Sequence, residues 1–446
     1  MKIIIAGAGE VGFHLAKQLV HEHHDITVIE PVEARLERIN STVEIFPVLG
    51  KSTVIEKLKE ADAKHCDLLL AVNESEAENI TTAILAKKLG VKTTVARVEN
   101  DEYVNLQNSE LFKSIGVDHL VYPEELAALE IVKLIERAAA TDVIEFENGK
   151  LIILGIRIGY DSPAINKTVQ QTAEEFHIID FRIVAIHRGL NTVIPKGDDT
   201  FMPEDQIFII TKPDAVEKIV RLSGQESVKM KNIMILGGGK IGRLTAHYLE
   251  KQYNVKLIES NKDKTHLLVD YLDETMVIQG DGRDIDLLAQ EGIIDMDGFI
   301  AVTDDAETNI ITCLMAKHLK VKKMIALVDN VDYIPLTQTI GLDALINKKL
   351  IAANNITKAI RKRNLVANIN ILGIDAEVLE YSASEKSKIV KKKIKNLNFP
   401  DNAIIGGYIR NEEAFIAVGE TQIQPNDKVV VFALPGAINK IESFFV

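Results

Sequence analysis

The sequence predicts an α/β protein built from two tandem copies of one plan: a Rossmann-type doubly wound parallel-sheet lobe followed by a small α+β lobe. Three observations predict it. The glycine turn "IAGAGEVG" at residues 5–12 recurs as "ILGGGKIG" at 235–242, with Gly7 and Gly237 standing 230 residues apart in a chain of 446. Each turn joins a short β-branched run to apolar residues at helical spacing. Every later landmark repeats at nearly the same offset, and the length itself is large for one hydrophobic core.

The elements follow in order. Lys2–Ala6 and Asn232–Leu236 read as first strands, ending at Gly7 and Gly237. Val11, Leu15 and Leu19 in one copy, and Ile241, Tyr248 and Leu249 in the other, mark the buried faces of the helices that follow. Second strands "ITVIE" and "VKLIE" end at Glu30 and Glu259, and third strands lead to Gly50 and Gly280. Fourth strands "LLLAVN" and "GFIAVT" run into acidic loops and helices, "ESEAENITTAILAKKLG" and "DDAETNIITCLMAKHLK". Fifth strands are "TTVARVEN" and "MIALVDN". Strands alternating with helices of this length predict a parallel sheet with its ligand at the carboxyl ends of the strands. Short strands and turns then take over, with Pro203–Glu204–Asp205 and Pro425–Asn426–Asp427 marking the same turn before each last strand. The predicted organisation is a Rossmann-type lobe over 1–122, a connecting helix over 123–141, a small lobe over 142–225, and the same series over 226–345, 346–365 and 366–446.

Composition removes several functions. Net charge is −13, Trp is absent and aromatics make up 5%, which argues against nucleic-acid binding through phosphate contacts or base stacking. Cys66 and Cys313 lie in different halves and form no metal or redox spacing, so they read as reduced thiols. Glycines and Glu10 interrupt the apolar N-terminus, which reads as strand and turn rather than signal sequence. No run reaches the ~18–20 apolar residues of a membrane span, so the chain reads as soluble and cytoplasmic.

Gly7, Gly9 and Gly12 make a G-x-G-x-x-G between strand and helix. The first glycine permits the tight turn, the second lets a pyrophosphate approach the backbone, and the third lets helix pack on sheet. The phosphate meets the free N–H groups of a helix N-terminus. Glu30 supplies a carboxylate at the end of the second strand, suited to ribose hydroxyls and repelling a 2′-phosphate, which favours NAD or an adenine nucleotide over NADP. Gly237, Gly239, Gly242 and Glu259 repeat the pattern. "GKST" at 50–53 is not a phosphate loop, because the glycine needed five positions earlier is Ile45. His21, His23 and His24 read as a solvated helix end rather than a metal site. The lysine run "EKSKIVKKKIK" at 385–395 reads as a solvated face, with a docking surface for an acidic partner as the alternative. The small lobes are too poor in convergent polar groups to suggest a substrate pocket. No catalytic residues are indicated, so the chain reads as a nucleotide sensor and not an enzyme; an NAD-dependent oxidoreductase, or a regulator of another cation transporter, are the rival readings.

"GAGEVG" with Glu30, the "AVNESEAENI" loop and "VARV" resembles an RCK (KTN) domain, and the lobes closing on "MPEDQIFIIT" and "QPNDKVVVFAL" resemble its companion subdomain. Two such pairs in one chain resemble the regulatory subunits of Trk-type potassium uptake systems. The resemblance implies a peripheral protein on the inner face of the cell membrane, assembled as a homo-oligomeric ring, a tetramer, beneath a membrane-embedded Trk-type potassium channel subunit. It implies NAD(H) and ATP/ADP as ligands. Carried over by position, the first site uses Gly7, Ala8, Gly9, Glu10, Val11 and Gly12 with Glu30, Asn73 and Glu74, and Arg97 reaching towards the phosphates. The second uses Gly237, Gly238, Gly239, Lys240, Ile241 and Gly242 with Glu259, Thr303 and Asp304. The family's usual Asp after the third-strand glycine is Lys51 in the first copy and Asp281 in the second, and Leu327 stands in the place of Arg97.

Overall fold

The structure, a computed structural model, describes the chain except residues 22–23, 176–180, 190, 225–229, 331–332, 334–340, 360–364, 372–373, 375 and 446. It divides into two compact units, Met1–Ala128 with Asn347–Ile360 and Leu129–Ile346 with Arg361–Val446.

The first unit is built on β1 (Lys2–Ala6), β2 (Asp25–Glu30), β3 (Phe46–Leu49), β4 (Leu68–Ala71), β5 (Thr93–Arg97) and β6 (His119–Val121). Their order is β3-β2-β1-β4-β5-β6, all parallel, so the chain reverses direction of growth between β1 and β4. At such a switch point a crevice opens outside the strand ends. Ile3, Ile4 and Ile5 are all buried, as a strand covered on both faces requires. Ile3 and Ile5 pack with Leu15 and Leu19 of the helix Glu10–His21, while Ile4 faces Ala83 and Ala86 of the helix Glu76–Leu89. Ser75 caps that second helix by accepting from the Glu78 N–H, and Gly90 ends it in the left-handed region at φ 115°.

The connecting helix of the second copy, Lys348–Ala359, belongs to this first unit. Ala352, Ala353 and Ile356 are buried in the same core as Leu15 and Leu19. The connecting helix of the first copy runs Pro123–Glu136, ending short of residue 141 because Ala140 already begins the next strand.

The second unit repeats the parallel sheet as β12 (Asn232–Leu236), β13 (Asn254–Glu259), β14 (Met276–Gln279), β15 (Gly298–Ala301), β16 (Lys323–Leu327) and β17 (Ala344–Ile346), in order β14-β13-β12-β15-β16-β17. It also holds two five-stranded antiparallel sheets of identical topology. One comprises β7 (Ala140–Phe146), β8 (Leu151–Arg157), β9 (Phe181–Arg188), β10 (Asn191–Val193) and β11 (Gln206–Thr211), ordered β10-β9-β11-β8-β7. The other comprises β18 (Leu365–Asn370), β19 (Glu377–Ser382), β20 (Ala403–Arg410), β21 (Glu413–Ile416) and β22 (Lys428–Ala433), ordered β18-β19-β22-β20-β21. The two share one core, in which Phe208 and Phe432 lie 5.9 Å apart.

The turn before each last strand is held by the same device. Asp205 accepts from Nε and Nη2 of Arg188, each at 2.7 Å, and Asp427 from Nε and Nη2 of Arg410 at 2.8 and 2.7 Å. Both carboxylates are buried, and bidentate charge-assisted pairing of this kind is the strong form of the hydrogen bond. A buried Lys323 ties the second parallel sheet to the first small lobe, donating to the Ala140 carbonyl. Burial pulls its ammonium below the ordinary lysine value and pushes the nearby Asp142 and Asp343 carboxyls up.

Candidate functional site

The glycine turns lie at the switch points. Gly7 sits at φ 109° and Gly237 at φ 104°, and a Cβ at either would come within 2.9 Å of the backbone nitrogen that follows β4 or β15, on Asn73 or Thr303. Gly12 and Gly242 are needed for contact: a Cβ there would stand 1.9 Å from the carbonyl oxygen of Gly7 or Gly237. Gly9 and Gly239 differ from both. A Cβ on either meets nothing within 4 Å, so the protein's own packing does not require glycine there. Gly9 O accepts from Phe13 N and Gly239 O from Arg243 N, so both helices start at these residues and present their first-turn N–H groups to the crevice.

The carboxylates at the ends of β2 and β13 are buried and tied to the turns. Glu30 accepts from Ala8 N at 2.6 Å and Val32 N at 3.0 Å; Glu259 accepts from Gly238 N at 2.9 Å and Asn261 N at 2.7 Å. Each carboxylate offers about four acceptor positions; Glu30 keeps two for hydroxyl donors, while Glu259, which also accepts from the Ser260 hydroxyl at 3.4 Å, keeps one. Their first task is to hold the glycine turn against the second strand.

A buried asparagine braces the other wall. Asn79 accepts from Asn73 N at 2.7 Å and donates to the carbonyls of Asn73 and Arg97 at 3.0 and 2.9 Å. Asn309 does the same with Thr303 N at 3.0 Å and the carbonyls of Thr303 and Leu327 at 3.0 and 2.9 Å. Both are buried, and each locks the end of the fourth strand of its sheet to the end of the fifth.

In the second lobe these walls enclose a cleft of about 660 Å³, lined by Gly237, Gly239, Glu259, Asp281, Thr303 and Asp304 among others. That volume falls in the range of small-molecule and cofactor sites.

The TrkA-N domain model matches residues 3–123 and 233–348, and the TrkA-C domain model matches 153–224 and 378–446. The chain belongs to the TrkA family. It is 32% identical over 455 residues to "Trk system potassium uptake protein TrkA homolog 1" of Methanosarcina mazei, covering all of both chains. It is likewise 32% identical over 452 residues to the Vibrio alginolyticus "Trk system potassium uptake protein TrkA", covering all of this chain and 98% of that one. Among solved structures, "GsuK channel bound to NAD" matches the whole chain and 78% of its own length, with TM-score 0.60 at 16% identity. "Crystal Structure of the GsuK RCK domain" matches with TM-score 0.59 over 94% of its length. The fold is therefore two tandem RCK units.

The two lobes of this TrkA family member differ at their rims. Lys51 is exposed after Gly50, whereas Asp281 is chelated by Arg283 at 2.7–3.2 Å, hydrogen bonds that hold its carboxyl down to about 2. Glu74 pairs with Arg35 at 3.0 Å across the first crevice, and Glu10 pairs with Lys349 of the helix Lys348–Ala359 at 2.5 Å. Arg97 pairs with Glu99 at 3.0 Å, while its Nε is buried with no hydrogen-bond partner among the described residues. An unsatisfied buried donor at a strand end calls for an oxygen from water or a ligand. Leu327 has no such group to offer.

Sequence reasoning missed Asn79, Asn309, Lys349 and the Arg–Asp clamps. Their signal was present in the repeated "ENI" and "TNI", and in the aspartate of each "PED" and "PND". His24 shares a hydrogen bond with the chain's amino group at 3.3 Å; the His21 side chain and His23 lie outside the described residues. Cys66 and Cys313 are buried, and burial raises both thiols, Cys66 to about 11. No described helix is long and apolar enough to cross a membrane.

Proposed function

We propose that the chain is a nucleotide-responsive cytosolic regulatory subunit of a membrane-embedded Trk-type potassium channel or transporter. NAD(H) and ATP/ADP occupy the two glycine-turn sites and bias a homo-oligomeric, tetrameric ring between conformations on the inner face of the membrane. The observation that carries this is the openness of Gly9 and Gly239 beside two glycines that the fold itself demands. It leaves room for a phosphate at a helix N-terminus in both lobes. The family, and the NAD and ADP named with the GsuK structures, support the same reading.

In the first site the Gly7–Gly12 turn takes the phosphates, Glu30 the ribose, and Asn73 and Glu74 border the fourth-strand side. In the second, Gly237–Gly242, Glu259, Thr303 and Asp304 do the same. The role of the protein is binding without chemistry. A ligand shifts a conformational equilibrium only by its differential affinity for the two states. ATP, ADP and NAD differ most in phosphate charge, and Arg97 with its unsatisfied Nε is suited to read that charge; hence the first lobe is the principal switch. The test is nucleotide-dependent potassium flux with the membrane partner, comparing Arg97→Ala and Gly9→Asp with Gly239→Asp. Loss of the response in the first two supports the assignment. Loss in Gly239→Asp alone reverses it.

A further inference from the structure

We propose that the second small lobe carries a docking surface for anionic phospholipid headgroups, formed by Lys386, Lys388, Lys391, Lys392, Lys393 and Lys395. All six are exposed. The segment bearing them is fixed: the Ser387 hydroxyl donates to the Phe445 carbonyl at 3.0 Å, Ile389 and Leu397 are buried beneath it, and Ile394 N and Lys395 N bond the carbonyls of Thr421 and Gly419. Two carboxylates accompany it. Glu420 takes Lys393 and Lys395, and Glu385 stands at its start; Lys386, Lys388, Lys391 and Lys392 form no ion pair among the described residues. A concentrated patch in which six lysines meet two carboxylates, on a chain of net charge −13, runs against the field of the whole molecule.

The duplication supplies an internal comparison. In the first small lobe the Ser162 hydroxyl bonds the Leu222 carbonyl, and Val169 N and Gln170 N bond the carbonyls of Asp199 and Gly197, the same three anchors. Superposing them puts Pro163, Asn166, Lys167, Thr168 and Gln170 where the second lobe has five lysines. The one lysine, Lys167, is paired with Glu175. The scaffold does not need the charge, because the other copy folds without it.

Lysine rather than arginine, on flexible stems, suits a diffuse layer of phosphates more than one bidentate ligand. Val418, 54% exposed, precedes Gly419, whose carbonyl accepts from Lys395 N, so an exposed apolar side chain accompanies the lysine segment, as at a headgroup–acyl boundary. Each lysine near an anionic surface contributes about fivefold in binding.

The experiment is co-sedimentation of the full chain with phosphatidylcholine vesicles, with and without phosphatidylglycerol. Neither nucleotide nor protein partner is present, so the result is independent of the nucleotide reading above. Binding is expected only with phosphatidylglycerol, falling steeply with added salt. The triple variant Lys388→Gln, Lys391→Gln, Lys392→Gln should bind about a hundredfold more weakly, and the corresponding triple Arg variant should bind as the parent does. Unchanged melting temperatures would show that both variants fold. Equal binding of parent and Gln variant, or no binding to phosphatidylglycerol vesicles, overturns the proposal. So does a Gln variant that still binds vesicles but no longer co-purifies with the membrane partner, which would assign the patch to an acidic protein segment.

Discussion

Replacing two neighbouring glycines by alanine should separate what the turn does for the fold from what it does for a ligand. At Gly242 the new Cβ would lie 1.9 Å from Gly237 O and 3.2 Å from a Val302 methyl. An ordinary contact is about 3.5 Å, so the start of the helix Lys240–Leu249 must retreat by roughly 1.5 Å. Overpacking against backbone costs about 1–3 kcal/mol, and here the upper end applies because the atom struck is not the tip of a flexible side chain. At Gly239 the backbone has φ −65° and ψ −176°, which alanine adopts freely, and its Cβ meets nothing. Losing a favourable N-cap residue costs about 1 kcal/mol, offset by about 0.4–1 kcal/mol from a less flexible unfolded chain. Thermal melts without nucleotide should therefore show Gly242→Ala lowered by roughly 5–10 °C and Gly239→Ala close to the parent. Calorimetry with ATP and NADH on Gly239→Ala should show at least a tenfold loss at that site, about 1.4 kcal/mol, because the methyl occupies the approach of the diphosphate. If Gly239→Ala melts like Gly242→Ala, or keeps full affinity, the openness of that position has nothing to do with a ligand.

Under the proposed function, in which Glu30 and Glu259 take the ribose hydroxyls, NADP should bind at least tenfold more weakly than NAD in calorimetry, because each carboxylate would repel a 2′-phosphate. Glu250 is buried and accepts from Glu274 N, Thr275 N and the Thr275 hydroxyl at 2.9–3.1 Å. Burial pushes its carboxyl up, but those bonds outweigh burial and hold it below the ordinary 4.5. The stability it contributes is thus present above 4.5 and lost as pH falls through the folded value. Glu250→Gln should cost about 1–2 kcal/mol at pH 7 and nothing once the parent carboxylate is protonated, read from urea unfolding at both pH values. Asp427→Ala should destabilise the second small lobe by about 1.5–3 kcal/mol, since Arg410 loses both bonds to the carboxylate but, partly exposed, keeps its bond to the Gln422 carbonyl, whereas the double change with Arg410→Leu should recover part of the loss; hydrogen exchange across β20–β22 would show it.

The parallel sheets were legible because their signals are local. A β-branched run, a glycine and an apolar 3.6-residue repeat each leave a mark within a dozen residues, and the duplication printed every mark twice. Asn79 was harder to see, since an asparagine in a helix says nothing about which strand ends it joins until the sheet order brings Asn73 and Arg97 together. Asp205 and Asp427 read as turn residues; that each holds an arginine seventeen positions earlier depends on the pairing of β9 with β11 and of β20 with β22. Lys323 reads as a polar residue at a strand start, where its first-copy counterpart is Thr93. Its burial follows from the small lobe that covers it, which no periodicity announces.

The helix Lys348–Ala359 shows most clearly what pattern could not supply. Its apolar face announces burial without naming the surface it covers, and proximity in sequence points to the second lobe. It packs instead in the first unit, where Ala352, Ala353 and Ile356 close the core over Leu15 and Leu19. Those two leucines lie on the helix whose N-terminus is the first glycine turn, and Lys349 pairs with Glu10 at that end. The first lobe is therefore completed by a helix that belongs to the second half of the chain. Cutting the chain after residue 225 would leave Leu15 and Leu19 uncovered, so the first half should not fold as a stable unit. Under the proposed function, a phosphate beside Gly9 would lie close to the Glu10–Lys349 pair and change its electrostatics. On that reading, this gives the duplication its physical sense: the ligand of one copy acts on an element supplied by the other, and two copies in one chain guarantee that the element is present.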